Sequence, residues 1–152
     1  MNDRPPVRVL VVDDHASIRT GIRRLIDGEA PRLCTVGCVA TADEALESVE
    51  RLQPDVVVLD VNLGGEDGLV LIPAMRRLAP CEVVVLTSLS DPAVERMARA
   101  LGATAHVHKT APAQVLLDSI ETAHLRSKAD ARPGQMPQPS RDEVPRTDSR
   151  MR

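Results

Sequence analysis

The sequence predicts an α/β fold, a doubly wound parallel sheet of five strands with helices on both faces. Three observations lead to this prediction. Five short apolar runs alternate with segments of helical periodicity. The central run, at residues 56–59, is apolar at every position, which is typical of a parallel strand buried on both faces. Reactive side chains directly follow or end four of the five runs, at the edge where such a sheet carries its chemistry.

The first half of the chain contains three predicted strands and two predicted helices. The strands are the apolar runs at residues 7–12, 33–40 and 55–60. The helices are the segments with apolar residues every three to four positions, at residues 16–27 and 42–52. Gly28 and Pro31 end the first helix, and Thr41 with Glu44 has the spacing of a capping box before the second.

The second half contributes two further strands and three helices. The strands are predicted at residues 82–87 and 104–108. The helices are predicted at residues 69–78, 92–101 and 112–125. Pro73 falls near the first turn of the third helix, where a missing amide donor costs little. Asp91 caps the fourth helix, Pro92 occupies its first position, and Gly102 ends it.

Beyond residue 126 the apolar periodicity stops. Residues 127–152 contain four prolines, mixed charges and few apolar side chains. Such a segment cannot bury enough surface to offset the entropy of ordering it. We therefore expect one folded domain over residues 1–126 and a disordered tail over residues 127–152.

Composition and charge argue against several classes of function. The 152 residues include no Phe, Tyr or Trp, so the chain lacks the aromatic platform on which single-stranded nucleic-acid binders usually stack bases. Residues 127–152 carry six Lys/Arg and four Asp/Glu, which leaves 13 basic and 18 acidic side chains, net −5, in residues 1–126. An acidic domain is a poor direct binder of nucleic acid, so we expect this chain not to bind nucleic acid directly.

The cysteines and the apolar runs indicate the compartment. Cys34, Cys38 and Cys81 are odd in number and lack zinc-site spacing, so we interpret them as small buried apolar residues. No run reaches the roughly 18 apolar residues of a membrane span, and the N-terminus lacks the apolar core of a signal peptide. We expect a cytoplasmic protein without membrane contact.

Four predicted strands end in reactive side chains. These are Asp13 and Asp14, Asp60, Thr87, and Lys109. In a sheet of strand order 2-1-3-4-5, the ends of strands 1, 3, 4 and 5 meet at one crevice. Three close carboxylates repel one another unless a cation lies among them, and Mg²⁺ is the ion we expect. The amine would add a positive charge, so the pocket could neutralise a phosphoryl group while a carboxylate attacks it.

The arrangement resembles the receiver domain of two-component response regulators over about residues 7–125. The resemblance rests on Val-Val-Asp13-Asp14-His, Leu59-Asp60-Val-Asn-Leu-Gly-Gly-Glu-Asp-Gly-Leu69, Val-Leu-Thr87-Ser88 and Gly102-Ala-Thr-Ala-His106-Val-His-Lys109. It implies the flavodoxin-like receiver fold, and a phosphoryl group transferred to Asp60 from a sensor histidine kinase or phosphotransfer protein. The domain would catalyse only its own phosphorylation and dephosphorylation, and so would not be an enzyme in the usual sense.

The resemblance also implies a Mg²⁺ site. Asp14, Asp60 and the backbone carbonyl of Asn62 would bind the ion, and Asp13 would act through water. Gly64 stands where the family commonly has Pro, which should loosen the loop beside the site without removing a ligand.

The remaining site residues would form the switch. Lys109 would contact the phosphoryl oxygens, Thr87 would hydrogen-bond to the new phosphate, and Ser88 would leave room for that movement. The output surface would be the face made by the fourth helix, fifth strand and fifth helix. His106 stands where the family usually has Tyr or Phe. Imidazole is smaller, polar and titrates near neutrality, so we expect switching in an altered, pH-dependent form.

Some alternatives stay open at the level of sequence. The motifs are closest to the branch that usually adds a C-terminal helix-turn-helix, but residues 127–152 lack such a pattern. The chain could be a stand-alone receiver or end within a linker; a homodimer and an unidentified downstream protein remain open as partners. His15 could titrate with the acidic pair, although a partly exposed loop or helix-start residue without a catalytic role is the preferred interpretation.

Two other functions compete with phosphoryl signalling at the level of sequence. A phosphorylation-independent interaction module with the receiver fold is the main alternative, and His106 is the residue that favours it. A hydrolase of the haloacid-dehalogenase kind also uses a strand-end Asp, but it needs a second Asp two positions later as acid and base. Asn62 occupies that position and cannot transfer the proton.

Overall fold

The computed structural model describes residues 4–88 and 90–130, in which five strands alternate with five helices. The strands of the main sheet are β1 (Val7–Val12), β2 (Leu33–Val39), β3 (Val56–Asp60), β4 (Glu82–Thr87) and β5 (Ala105–His108). The helices are α1 (Ala16–Asp27), α2 (Ala42–Leu52), α3 (Ile72–Leu78), α4 (Pro92–Leu101) and α5 (Ala113–Asp130). Between β3 and α3, two-residue strands Asn62–Leu63 and Glu66–Asp67 form a small antiparallel hairpin, followed by a 3₁₀ turn at Gly68–Leu71.

All neighbouring strands of the main sheet run parallel, in the order β2-β1-β3-β4-β5. This confirms the doubly wound fold and the 2-1-3-4-5 order predicted from the sequence. The central strand β3 is buried along its whole length. It pairs with β1 and β4 in one continuous register, in which Val58 lies opposite Val11 on one side and Val84 on the other.

The core consists of two apolar layers, one on each face of the sheet. Alternate residues of a strand enter different layers, as the period of two in a β-strand requires. Leu59 packs with residues of α2, α3 and α4, whereas Val58 packs with residues of α1 and α5. Because the sequence has no Phe, Tyr or Trp, aliphatic side chains make up most of both layers, and Met75 and Cys81 join them in the layer that contains Leu59.

The helix caps predicted from the sequence are present in the structure. Thr41 accepts a hydrogen bond from the amide of Glu44 at the start of α2. Asp91 accepts one from the amide of Ala93 at the start of α4, which ends at Gly102 with a left-handed φ of 115°. These caps satisfy backbone groups that have no partner inside the helix.

Two sequence-based expectations need correction. Only Cys81 is buried, whereas Cys34 and Cys38 are half-buried, because they lie on β2 at the edge of the sheet. The last helix continues to Asp130 rather than ending near Leu125, so residues 127–130 are helical. They contain neither Gly nor Pro, and a helix needs no apolar face to continue through such residues. The rest of the predicted tail, residues 131–152, lies outside the described residues.

Within residues 4–88 and 90–130, no helix combines the length and apolar character needed to cross a bilayer.

Gly68 allows the chain to pass close to the end of β3. A Cβ atom at this position would lie 2.2 Å from the backbone oxygen of Asp60 and 3.1 Å from that of Val61. These neighbours are backbone atoms and cannot rotate away. The loop after β3 is therefore held against the strand end by a contact that only Gly permits.

We predict that Gly68→Ala lowers the free energy of unfolding by about 1–3 kcal/mol, as overpacking does. The matched control is Gly21→Ala in α1, where a Cβ atom would meet nothing within 4 Å. That change should stabilise the protein by about 0.5–1 kcal/mol, because Ala is the better helix former. Urea unfolding measures both variants, and equal effects of the two substitutions would contradict the prediction.

Candidate functional site

The candidate site lies at the carboxyl edge of the sheet. Asp13 directly follows β1, Asp60 and Thr87 are the last residues of β3 and β4, and Lys109 directly follows β5. The parallel register keeps the ends of β3, β4 and β5 level, because Asp60 pairs with Leu86 and the next residue, Thr87, pairs with the last residue of β5. Four segments that are distant in sequence thus meet at one edge.

The Lys109 ammonium bridges two buried carboxylates. Its Nζ atom lies 3.2 Å from Oδ2 of Asp13 and 3.1 Å from Oδ2 of Asp60. Asp13 is 1% exposed and Asp60 is 3% exposed, so both acids are almost completely removed from water. A buried charge is expensive without a partner. The Lys109 amine therefore supplies the positive charge that compensates for burying these two carboxylates.

The electrostatics of the site raise the pKa of both Asp60 and Lys109. For Asp60, burial is the main cause and the charge of Asp13 adds to it, while hydrogen bonds from Asn62 and Lys109 act in the opposite direction. For Lys109, burial acts to lower the pKa, but the hydrogen bonds and negative charges of Asp60 and Asp13 outweigh it. The ammonium therefore stays charged at neutral pH.

The loop after β3 is tied to the acids by hydrogen bonds. The Gly64 amide donates to Oδ2 of Asp14 over 2.9 Å, and the Asn62 amide donates to Oδ1 of Asp60 over 3.2 Å. Gly64 has a left-handed φ of 59°, which Gly adopts readily. The side chain of Asn62 turns back into the loop and accepts from the Gly65 amide over 3.0 Å. The loop thus sits directly beside the carboxylates.

The acidic cluster has the donor set of a divalent cation site. One ligand atom from each of Asp13, Asp14, His15 and Asp60 can be chosen so that all lie within 4.8 Å of one another. Oδ2 of Asp13 and Oδ1 of Asp14 are shielded from solvent, and among the described residues their polar neighbours are Lys109 at 3.2 Å and His15 at 3.0 Å, respectively. Three carboxylates beside one amine leave negative charge uncompensated, and carboxylate oxygens fit Mg²⁺.

The predicted switch residues surround the same edge. Thr87 is 1% exposed, and its backbone oxygen accepts a hydrogen bond from the Lys109 amide over 2.7 Å. Ser88 is exposed. His106 is half-buried on β5 opposite Val85, and its Nε2 atom is shielded from solvent without a hydrogen-bond partner among the described residues. Their participation in switching stays a prediction.

Two side chains contact the acids in a way that the sequence analysis did not predict. The Arg19 guanidinium donates to the backbone oxygen of Asp13 over 2.6 Å. The ring Nδ1 of His15 lies 3.0 Å from Oδ1 of Asp13 and 3.0 Å from Oδ1 of Asp14. His15 is the N-cap residue of α1, and its side chain is 58% exposed. Both observations agree with its interpretation as a partly exposed residue at the start of a helix. The position of His15 directly after Asp13 and Asp14 was the sequence signal for this contact. It does not predict in which direction the imidazole ring points.

The comparisons with known proteins agree on one family. The sequence model of one protein family, the response regulator receiver domain, matches residues 9–121 of the chain. Protein-glutamate methylesterase/protein-glutamine glutaminase 1 of Xanthomonas campestris is 38% identical over 96 residues, which is 63% of this chain and 26% of that protein. The nitrate/nitrite response regulator protein NarL of Escherichia coli K12 is 33% identical over 91 residues, which is 60% of this chain and 42% of that protein.

A solved structure agrees with these sequence relatives. The response regulator domain of CheB from Thermotoga maritima matches with a TM-score of 0.73 and 29% identity, covering 79% of this chain and 97% of that domain. The chain spans only about a quarter to two fifths of the length of the two curated relatives. The shared fold, the strand-end acids and the family match therefore lead to one conclusion. The chain belongs to the response regulator receiver domain family of two-component phosphorelay systems.

Proposed function

We propose that Asp60 accepts a phosphoryl group from a phosphohistidine of a sensor histidine kinase or phosphotransfer protein, in a Mg²⁺-dependent reaction. The observation that carries this proposal is the ammonium of Lys109, 3.2 and 3.1 Å from the buried carboxylates of Asp13 and Asp60 at the end of the central strands. The arrangement combines a carboxylate nucleophile with a fixed positive charge and a set of oxygen ligands beside it.

In the proposed reaction, an Asp60 carboxylate oxygen attacks phosphorus and forms the O–P bond. The P–N bond of the phosphohistidine breaks, its electron pair returns to the donor imidazole, and that nitrogen takes up a proton. Lys109 neutralises negative charge on the oxygens of the transferred group. This electrostatic stabilisation is strongest in a site shielded from water. Bound Mg²⁺ would supply further charge neutralisation, and Asp13, Asp14, Asp60 and the Asn62 carbonyl would hold it.

We propose that phosphorylation then changes the surface formed by α4, β5 and α5. Thr87 ends β4, and its backbone already joins Lys109 by the 2.7 Å hydrogen bond. A phosphate on Asp60 would offer the Thr87 hydroxyl a charged acceptor, and such hydrogen bonds are stronger than neutral ones. Ser88 is exposed and leaves space for the chain to move. His106 would respond in place of the usual aromatic residue.

The alternative is an interaction module that works without phosphorylation. His106 favours it, because its half-buried ring lacks the size of Tyr or Phe and its Nε2 atom has no partner among the described residues. The intact acids, Thr87 and Lys109 favour phosphorylation. Hydrolysis of other phosphate esters is not proposed, because Asn62 stands where the hydrolase mechanism needs an acid and base.

The first prediction from the proposed function concerns the phosphoryl group on Asp60. Incubation with acetyl phosphate and Mg²⁺ should add one phosphoryl group to the protein, detected by intact mass measurement, and Asp60→Asn should abolish the adduct. Asp55→Asn is the control, because Asp55 lies at the opposite end of β3 and its carboxylate accepts from the Arg8 amide. An adduct that survives in Asp60→Asn would contradict the assignment. No adduct in the wild-type protein would support the interaction module, and repeated turnover of organophosphates would support a hydrolase.

The second prediction concerns the cation. In Lys109→Met without Mg²⁺, two buried carboxylates lose their positive partner, and the free energy of unfolding should fall by about 3 kcal/mol. Mg²⁺ should restore much of that loss, since binding to the folded state alone stabilises it. The control is Lys128→Met, which changes the chain's other lysine, an exposed residue of α5. Urea unfolding with and without Mg²⁺ tests this, and a Mg²⁺ response absent from both proteins would count against the cation site.

The third prediction concerns switching. Addition of beryllofluoride and Mg²⁺ should shift backbone amide resonances of α4 and β5, because the added group would draw on the hydroxyl of Thr87. Thr87→Ala should remove these shifts, whereas Thr87→Ser keeps a hydroxyl and should retain them. Resonances of α4 and β5 that do not move in the wild-type protein would contradict the switch.

A further inference from the structure

His15 occupies the acidic cluster through its ring as well as its backbone. Its amide donates to Oδ1 of Asp13 over 2.8 Å, and α1 begins at the next residue, so the backbone at His15 is fixed relative to the acids. Its ring Nδ1 lies 3.0 Å from Oδ1 of Asp13 and 3.0 Å from Oδ1 of Asp14. The imidazole nitrogen therefore faces the same space as the carboxylate oxygens.

These separations match those between ligands that share one metal ion. Two neighbouring ligands of an octahedral ion, each bonded at about 2.1 Å, lie about 3.0 Å apart. A metal ion between Nδ1 and the two carboxylates would take the place of the present Nδ1–carboxylate contacts. The selected ligand atom of Asp60 lies within 4.8 Å of the other three, so four side chains of the same cluster can reach one ion.

Adding a nitrogen ligand changes which ions the cluster prefers. Carboxylate and carbonyl oxygens alone suit Mg²⁺, whereas imidazole suits Co²⁺, Ni²⁺ and Zn²⁺. Affinity for these ions at a mixed nitrogen and oxygen site rises along the Irving–Williams order. The His15 side chain is 58% exposed, so its ring is accessible to a metal ion from solvent.

We propose that His15 is a fourth side-chain ligand of the cation site, used by transition-metal ions and not by Mg²⁺, and that the site binds transition-metal ions such as Co²⁺ and Zn²⁺ more tightly than Mg²⁺. The inference rests on the cation site of the proposed function and extends it to metal selectivity. Because the two classes of ion share the oxygens of Asp13, Asp14 and Asp60, a bound transition metal excludes Mg²⁺.

The test uses Co²⁺ as a probe, because its visible absorption reports nitrogen ligation, together with a Mg²⁺ titration of the same proteins. His15→Ala should weaken Co²⁺ binding by about tenfold or more, the range seen when support for a metal ligand is lost. Its Mg²⁺ dissociation constant should change by no more than about twofold, since Mg²⁺ is held by oxygen. His15→Asn keeps a donor beside the carboxylates but lacks the ring nitrogen, and it should behave like His15→Ala.

His108→Ala is the matched control. It also removes an imidazole at the sheet edge, but that ring is held by Thr110 over 2.7 Å and by Ser90 over 3.4 Å. Co²⁺ binding should survive this change. Zn²⁺ should also shift the Nδ1 resonance of His15 in the wild-type protein, a readout independent of phosphorylation.

Each outcome separates the two proposals. Unchanged Co²⁺ affinity and spectrum in His15→Ala would overturn the inference, as would loss of Co²⁺ binding in His108→Ala alone. Co²⁺ binding through His15, with neither a Mg²⁺ response nor an aspartyl phosphate, would support His15 as a ligand and contradict the proposed function. Mg²⁺ binding and phosphorylation without any His15 effect would support the function and reject the inference.

Discussion

The central constraint on this domain is the pairing of one ammonium with two carboxylates that the fold removes from water. Lys109 lies within 3.2 Å of both Asp13 and Asp60, which are 1% and 3% exposed. A parallel sheet whose strands end level brings these groups together, because each strand end approaches from a different part of the chain. The two apolar layers keep the strands in register, and the register in turn keeps the charges in contact. Packing and electrostatics therefore depend on each other at this edge.

The site remains more negative than its own amine can balance, and a bound cation would neutralise this surplus charge. Asp14 adds a third carboxylate, and its oxygen accepts the amide of Gly64 in the loop after β3. That loop can approach because Gly68 has no side chain to meet the backbone of Asp60. The loop is thus linked to the same few oxygens that the proposed cation and phosphoryl group would use. Binding of the cation or of the phosphoryl group is therefore expected to change both the position of the loop and the charge of these oxygens.

Most of the fold and much of the site could be predicted from the sequence, because both depend on local patterns. The uniform burial of β3 is visible as an uninterrupted apolar run, and the strand-end residues follow from where each run stops. The end of α5 was not predictable from apolar periodicity, since residues 127–130 are helical although the apolar pattern of the sequence has already stopped. The directions of His15 and Arg19 were also out of reach. They depend on rotamers and on the approach of α1 to the acids, neither of which is encoded in spacing.

The aliphatic core has a practical consequence for spectroscopy. A protein without Trp, Tyr or Phe has no intrinsic aromatic fluorescence, so fluorescence of its own side chains cannot report conformational change. Met97 on α4 is 53% exposed and could be replaced by Trp without filling the interior. A single indole there would emit against a dark background, and any change in its emission could be assigned to one helix.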